Sequence, residues 1–494
     1  MSTQTAETVV AEHVSKTELE RLLAVQRAAF VREGPPSAEV RRNRIDRLMA
    51  AVLEAAAPLA EALEQDYGRR PVTLSKMFDV LSWLEDAKVN RENLEEWMKP
   101  VTLAGPPPAF IEQKPKGVVG VMGAWNFPIS LTVHPAFAAL AAGNRVIMKV
   151  PENHPRTGKV LAAAVAKYFP EEEVAVVLGD LQTAIDFSTL QLDHIVLTGS
   201  PAVGKAVASA AGKNLVPVTL ELGGKNPVVL GRDANLHQAA ERLAIARTMN
   251  SGQVCSCPEY VFVPREQFDS FKRLLEHEMR ELFPTTLDNP AVVAIINERN
   301  YARVTNLIDD ATAKGAKKVQ VVPEDEARSL PSAEKRIIPP TILTDVPADA
   351  LINDEEVFGP VISLYPYDDI AEAIAFIQHR PAALCAYYFG GDGPDFQAFL
   401  RGTTSGGVTR NDCFAHQTVP GAPFGGVGQS GYGAYHGKAG FDELTHRRTV
   451  AAPEGERSFA EGSTGQPVLN PAVEAGLDQY IAGELAEVRS RLAL

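Results

Sequence analysis

Between positions 117 and 220 the chain repeats one pattern. A short, uninterrupted apolar run is followed by a stretch of helical length, and the pair recurs. The apolar runs are 117–123, 145–150, 173–178, 194–197 and 216–220; the helical stretches between them are 135–142, 155–169 and 203–211. A strand that is apolar on both faces has to be covered on both faces, and a strand–helix–strand alternation does this with a parallel sheet flanked by helices. The fold class is therefore α/β, with a doubly wound sheet. From Asn226 a second α/β region follows, with helices over 234–249, 268–283, 296–314 and 370–378, strands from Tyr260 and Pro360, and Gly- and Pro-rich loops over 401–433. Ahead of the sheet, 1–20 reads as a loose leader. Ser37 is the N-cap of a long helix ending before Gly68, and a second helical pattern runs over 72–97 until Pro106-Pro107-Pro108 breaks it. A terminal helix over 471–494 places Leu477, Ile481 and Leu485 on one face.

A chain of 494 residues implies two or three domains. Its net charge of −14 argues against a nucleic-acid partner. A bound dinucleotide remains compatible with that charge, because helix N-termini hold phosphates without net positive charge. No apolar run is long enough to span a membrane, and the polar N-terminus lacks the apolar segment of a secretory signal. Four cysteines in this length do not make a disulfide framework, so a reducing cytoplasm is the expected compartment. Cys255 and Cys257 form C-x-C, but no His/Cys cluster nearby completes a metal-ligand set, and no metal is expected.

The chemistry concentrates in short motifs. Glu221-Leu-Gly-Gly-Lys225 and Gly252-Gln-Val-Cys255 set a carboxylate and a thiol beside glycines. A cysteine is a strong nucleophile only as thiolate, and hydrolysis of a covalent thioester needs a second group to activate water. Either residue alone has a plain alternative: a small buried hydrophobe for Cys255, a strand-end surface acid for Glu221. Gly123-Ala-Trp125-Asn126-Phe127-Pro128 offers a neutral amide suited to an oxyanion, or equally an Asx-turn. Lys149-Val-Pro-Glu152 ends a strand where an acid can take ribose hydroxyls. Gly199-Ser200 opens a helix, a place for a pyrophosphate, although the spacing is not G-x-G-x-x-G. Glu355-Glu356-Val-Phe358-Gly-Pro360 sets an acid and a ring at another strand entrance, and the loop 423–431 is dense in glycine.

Taken in order, WNFP, ELGGK, GQ-x-C, EEVFGP and PFGG resemble the NAD(P)-dependent aldehyde dehydrogenase superfamily over about residues 20–460. The stretch Gly433-Ala-Tyr-His-Gly437-Lys-Ala-Gly-Phe441 is similar to the class 3 branch, and 30–45 with Trp97-Met-Lys-Pro100 to its coniferyl aldehyde dehydrogenases. The resemblance implies Cys255 as nucleophile, Glu221 as base, and Asn126 with the Cys255 N–H as oxyanion site. It implies Lys149 and Glu152 at the adenosine ribose, Gly199 and Ser200 at the pyrophosphate, Glu356 at the nicotinamide ribose and Phe358 beside the nicotinamide. The cofactor is NAD, with NADP admitted. Trp125, Phe127 and Phe414 are the candidate wall for a hydrophobic aldehyde. Class 3 members often carry tyrosine where this chain has Phe127, and the tail after about Glu454 matches nothing in the pattern.

The implied organisation is a cofactor domain (20–108 and 120–221), a catalytic domain (222–432), a bridging element (109–119 and 433–455) and a C-terminal tail (456–494). In the family the bridging element extends a partner's sheet, which implies a homodimer or larger homo-oligomer. Three rivals share these residues: a CoA-acylating dehydrogenase, a cysteine hydrolase, and an inactive binding protein on the same scaffold.

Overall fold

The computed structural model describes residues 12–105, 107–452 and 471–492. The chain divides into two compact units, one of 1–97 with 114–446 and one of 98–113 with 447–494.

The first unit carries two sheets. The six-stranded sheet runs in the order Gly431–Tyr432, Val218–Leu222, His194–Gly199, Val118–Met122, Arg145–Lys149, Val174–Val177. All its pairings are parallel except that of Gly431–Tyr432 with Val218–Leu222. Five of the strands are those read from the apolar runs, and burial on both faces explains why those runs are uninterrupted; the sixth, Gly431–Tyr432, lies in the segment read as loop. The helix expected over 135–142 starts earlier, at Ser130, and holds Pro135 in its interior. The seven-stranded sheet has the order Lys317–Gln320, Thr341–Thr344, Val361–Tyr367, Pro258–Pro264, Asn226–Leu230, Ala383–Phe389, Ser405–Arg410. Its first pair is antiparallel and the rest parallel.

Several expectations are corrected. The leader is not loose throughout: a helix begins at Lys16 and runs to Glu33. Ser15 caps it by accepting the Glu18 N–H, and Leu19, Leu22 and Leu23 pack into the core under the six-stranded sheet. The helix from Ser37 is two helices, Ala38–Glu54 and Ala56–Tyr67, meeting at Ala55; Ser37 caps the first, and left-handed Gly68 ends the second. The stretch 72–97 is also interrupted. A π-turn, Lys76–Val80, delivers Asp79 to a fully buried ion pair with Arg70 and to the Ile129 N–H, and the helix resumes at Leu84. The loop region 401–433 contains a strand, Ser405–Arg410. Its glycines disguise it, yet they are required: a methyl on Gly406 would lie 2.0 Å from the Gly425 carbonyl oxygen.

The second unit holds a three-stranded sheet in the order Val101–Leu103, Ala109–Pro115, Thr445–Ala451, so the expected pairing of the 109–116 and 443–451 segments is present. It also holds the helix Pro471–Arg491, along which Leu477, Tyr480, Ile481 and Leu485 are exposed. Among the described residues no helix is long and apolar enough to cross a membrane.

Candidate functional site

The thiol at 255 is carried by a loop that the chain holds in an unfavourable shape. After the helix Leu236–Thr248, residues Asn250, Ser251 and Gly252 adopt φ of 50°, 52° and 73°. For Asn and Ser this left-handed conformation costs on the order of 1–3 kcal/mol each, and it persists only where the surroundings impose it. They do so from several sides. The Gln253 Nε2 donates to the carbonyls of Asn250 (2.9 Å) and Ala294 (3.1 Å), while its Oε1 accepts the Ile296 N–H at 2.9 Å. The Ser251 hydroxyl donates to Val293 O at 2.6 Å. Gly252 lies against Gly359, where a methyl would come within 2.2 Å of the carbonyl oxygen. Asn226 secures the far end: its Nδ2 donates to the carbonyls of Cys255 (2.8 Å) and Cys257 (2.9 Å), and its Oδ1 accepts the Cys385 N–H at 2.9 Å.

Of the four free cysteines only Cys255 is partly exposed. Cys257 points back to the Ala246 carbonyl, and Cys385 lies 3.1 Å from His416 Nε2. Asn126, on the loop after Val118–Met122, is buried and meets the nucleophile loop through Nδ2, which donates to Gln253 O at 3.3 Å. Its carbonyl is held by Tyr67 Oη, Arg70 Nη1 and Asn250 Nδ2.

Glu221 lies inside the strand Val218–Leu222, which ends two residues beyond the apolar run 216–220, and is buried. Among the described residues neither carboxylate oxygen has a hydrogen-bond partner, and Gly425 faces it so closely that a methyl there would sit 3.1 Å from Oε1. Burial pushes this carboxyl far above the usual range. Burial, then the charges of Glu356 and Glu221, push the Cys255 thiol up to about 12. Glu356 accepts the Gly224 N–H at 3.1 Å and is raised to about 8 by burial and by Glu259. A methyl on Gly223 would come within 2.1 Å of the Glu356 carboxylate, which accounts for the glycine pair after Glu221.

Sequence reasoning missed two residues. One is Asn226, discussed above. The other is Glu259, buried between Lys225 Nζ (2.9 Å) and Arg247 Nη1 (3.0 Å), which also accepts the Val357 N–H at 2.9 Å. Its position four residues after Cys255, on a strand buried along its whole length, was the available signal.

The groups expected at a dinucleotide occupy strand ends of the six-stranded sheet. Lys149 is buried, donates to Gly179 O at 3.2 Å, and lies 3.6 Å from Glu152. Beside Glu152 is a cavity of about 180 Å³, lined also by Val150, Lys159 and Gly179. Ser200 follows Gly199 at the end of its strand and caps the helix Pro201–Gly212; next to them the Thr198 hydroxyl is buried without a partner among the described residues. A cavity and a helix N-terminus at the carboxyl ends of parallel strands suit a dinucleotide's ribose and phosphates. Phe358, at φ 47°, stands edge-on to Trp125 at 5.2 Å. Phe127 and Phe414 share an apolar cluster with Val254 and Cys257, whereas Trp125 packs on Phe358 instead. Among the described residues no group of three or more His, Cys, Asp or Glu could hold a metal.

The family model described as "Aldehyde dehydrogenase family" matches residues 3–450. The chain is 40% identical over 478 residues, 95% of it and 97% of the relative, to a probable coniferyl aldehyde dehydrogenase of Caulobacter vibrioides. It is 38% identical to a coniferyl aldehyde dehydrogenase of a Pseudomonas species, over 90% of this chain and 94% of that one. Its fold is similar to a Mycobacterium tuberculosis aldehyde dehydrogenase solved with NAD+, with TM-score 0.80 and 27% identity, covering 90% and 92% of the two chains.

Proposed function

The chain belongs to the aldehyde dehydrogenase family, NAD(P)-dependent oxidoreductases of aldehydes, and on that premise we propose that it oxidises a hydrophobic aromatic aldehyde of the coniferyl type to the carboxylic acid through a thioester on Cys255. One observation carries this reading: a thiol on a strained, fully braced loop shares its buried surroundings with a carboxyl that has no partner of its own.

Cys255 attacks the carbonyl carbon. It reacts as the thiolate, its proton having passed to solvent. The Asn126 amide and the Cys255 N–H stabilise the oxyanion, at about 3 kcal/mol for one such donor. A dinucleotide bound at this site would supply the hydride acceptor for the aldehyde hydrogen. Glu221 then takes a proton from water, which attacks the thioester and releases the acid. When a dinucleotide is bound, Lys149 and Glu152 would hold its adenosine ribose, Gly199 and Ser200 its pyrophosphate and Glu356 its second ribose, and Phe358, packed on Trp125, would flank the nicotinamide. Phe127 and Phe414 form the apolar wall that favours an aromatic substrate. The segments 20–97 and 120–221 make the cofactor domain, 222–432 the catalytic domain, and the strands Val101–Leu103, Ala109–Pro115 and Thr445–Ala451 an oligomerisation element joining two copies of the chain.

The test is NADH absorbance across an aldehyde panel. A kcat/KM at least tenfold higher for coniferyl aldehyde than for acetaldehyde is expected; a hundredfold preference for acetaldehyde refutes the substrate assignment. Adding coenzyme A should leave the product a free acid, because Glu221 supplies water activation; an acyl-CoA product refutes the hydrolytic step.

A further inference from the structure

The cavity beside Glu152 has a wall from the other end of the chain. Glu152, Lys159 and Gly179 come from the strand ends and the helix that follows them; the remaining wall is the segment Glu12–Val14. That segment is fastened in place. His13 Nδ1 lies 3.1 Å from Asp180 Oδ1 and 3.3 Å from Thr183 Oγ1. The Val14 N–H donates to Thr183 Oγ1 at 3.0 Å, and Thr183 Oγ1 approaches the Val14 carbonyl at 3.3 Å. Immediately after it Ser15 caps a helix whose Leu19 and Leu22 are buried. The segment is thus tied both to the loop that closes the cavity and to the core.

Its position also sets the charge there. The Asp180 carboxylate is occupied by His13 and by the Thr183 N–H, so His13 faces a counter-charge of its own. Lys149 is directed at Gly179 O and Glu152. Two carboxylates, Glu12 and Glu152, and one ammonium, Lys159, line the space. A ribose hydroxyl donates to a carboxylate; a 2′-phosphate carries close to two negative charges and is repelled by it.

We propose that residues 12–14 are part of the adenosine-ribose pocket, and that Glu12, acting with Glu152, makes this pocket prefer NAD to NADP. The proposal rests on the dinucleotide site assigned above.

The experiment is equilibrium titration of the full chain with NADH and NADPH, read by nucleotide fluorescence, with 5′-AMP and 2′,5′-ADP as competitors. Wild type should bind NADH more tightly than NADPH. Glu12→Gln, a change on an exposed side chain, should lower that ratio about fivefold, the Coulomb effect of one charge near a phosphate at partial exposure, and the wild-type ratio should shrink at high salt. His13→Ala and Thr183→Val, which release the segment, should weaken 5′-AMP as well. A NADH-to-NADPH ratio unmoved by Glu12→Gln, or a wild type that prefers NADPH, overturns the proposal while leaving the dehydrogenase reading intact. A wild type that binds neither nucleotide overturns both.

Discussion

Replacing Glu259 with Gln should damage both stability and cofactor binding, by an amount the structure sets. The carboxylate is 2% exposed and touches two cations, Lys225 and Arg247, as well as the Val357 N–H. Burial alone would raise its pKa; attraction to Lys225 and Arg247 outweighs burial and holds it at about 2. A carboxyl held at about 2 instead of 4.5 corresponds to about 3 kcal/mol, the same size as the roughly 3–5 kcal/mol typical for breaking a buried ion pair. Because the folded pKa is depressed, this stabilisation is complete above pH 4.5 and is lost as pH falls toward 2. Urea midpoints should therefore differ by the equivalent of about 3 kcal/mol at pH 7, and by progressively less below pH 4.5. Gln keeps only one acceptor oxygen where Glu259 uses one for Val357 and Lys225 and the other for Arg247, so the segment holding Glu356 and Phe358 loosens and NADH should bind more weakly. A variant as stable as wild type at pH 7, or a deficit that stays constant down to pH 3, would refute the reasoning.

Three further outcomes are expected. Glu221→Gln should release one burst of NADH and then stall as the acyl-enzyme, detectable by intact mass; steady turnover at the wild-type rate would remove Glu221 from the hydrolytic step. Asn126→Ala should lower kcat by about two to three orders of magnitude, the loss of one oxyanion donor, as measured by steady-state kinetics at saturating aldehyde. Glu356 is a carboxyl raised to about 8, chiefly by burial, so its contribution is full below pH 4.5 and is lost as pH rises through about 8; Glu356→Gln should gain in melting temperature relative to wild type between pH 5 and pH 9.

The five parallel strands of the six-stranded sheet were legible because they are buried on both faces and so are written as apolar runs, whereas the two-residue edge strand Gly431–Tyr432, with Tyr432 exposed, was not. The strand Ser405–Arg410 was not, since close approach of Gly425 and His416 demands glycine at 406 and 407, and glycine reads as loop. The helix at Lys16 was lost among polar residues, although Ser15, Glu18 and the leucines at 19, 22 and 23 carry its cap and its face. The motif residues were recognisable from local company. Asn226 and Glu259 were not, because their partners at 247, 255, 357 and 385 lie in segments that only the sheet brings together.

Glu221 lies opposite Gly431 in the antiparallel pairing that closes one edge of the six-stranded sheet. The acid is thus framed by a segment synthesised two hundred residues after it. A ribosome-bound chain that has not yet emerged past Tyr432 already carries the Cys255 loop but lacks this frame, so partially made molecules would hold the reactive sulfur without the means to complete a turnover.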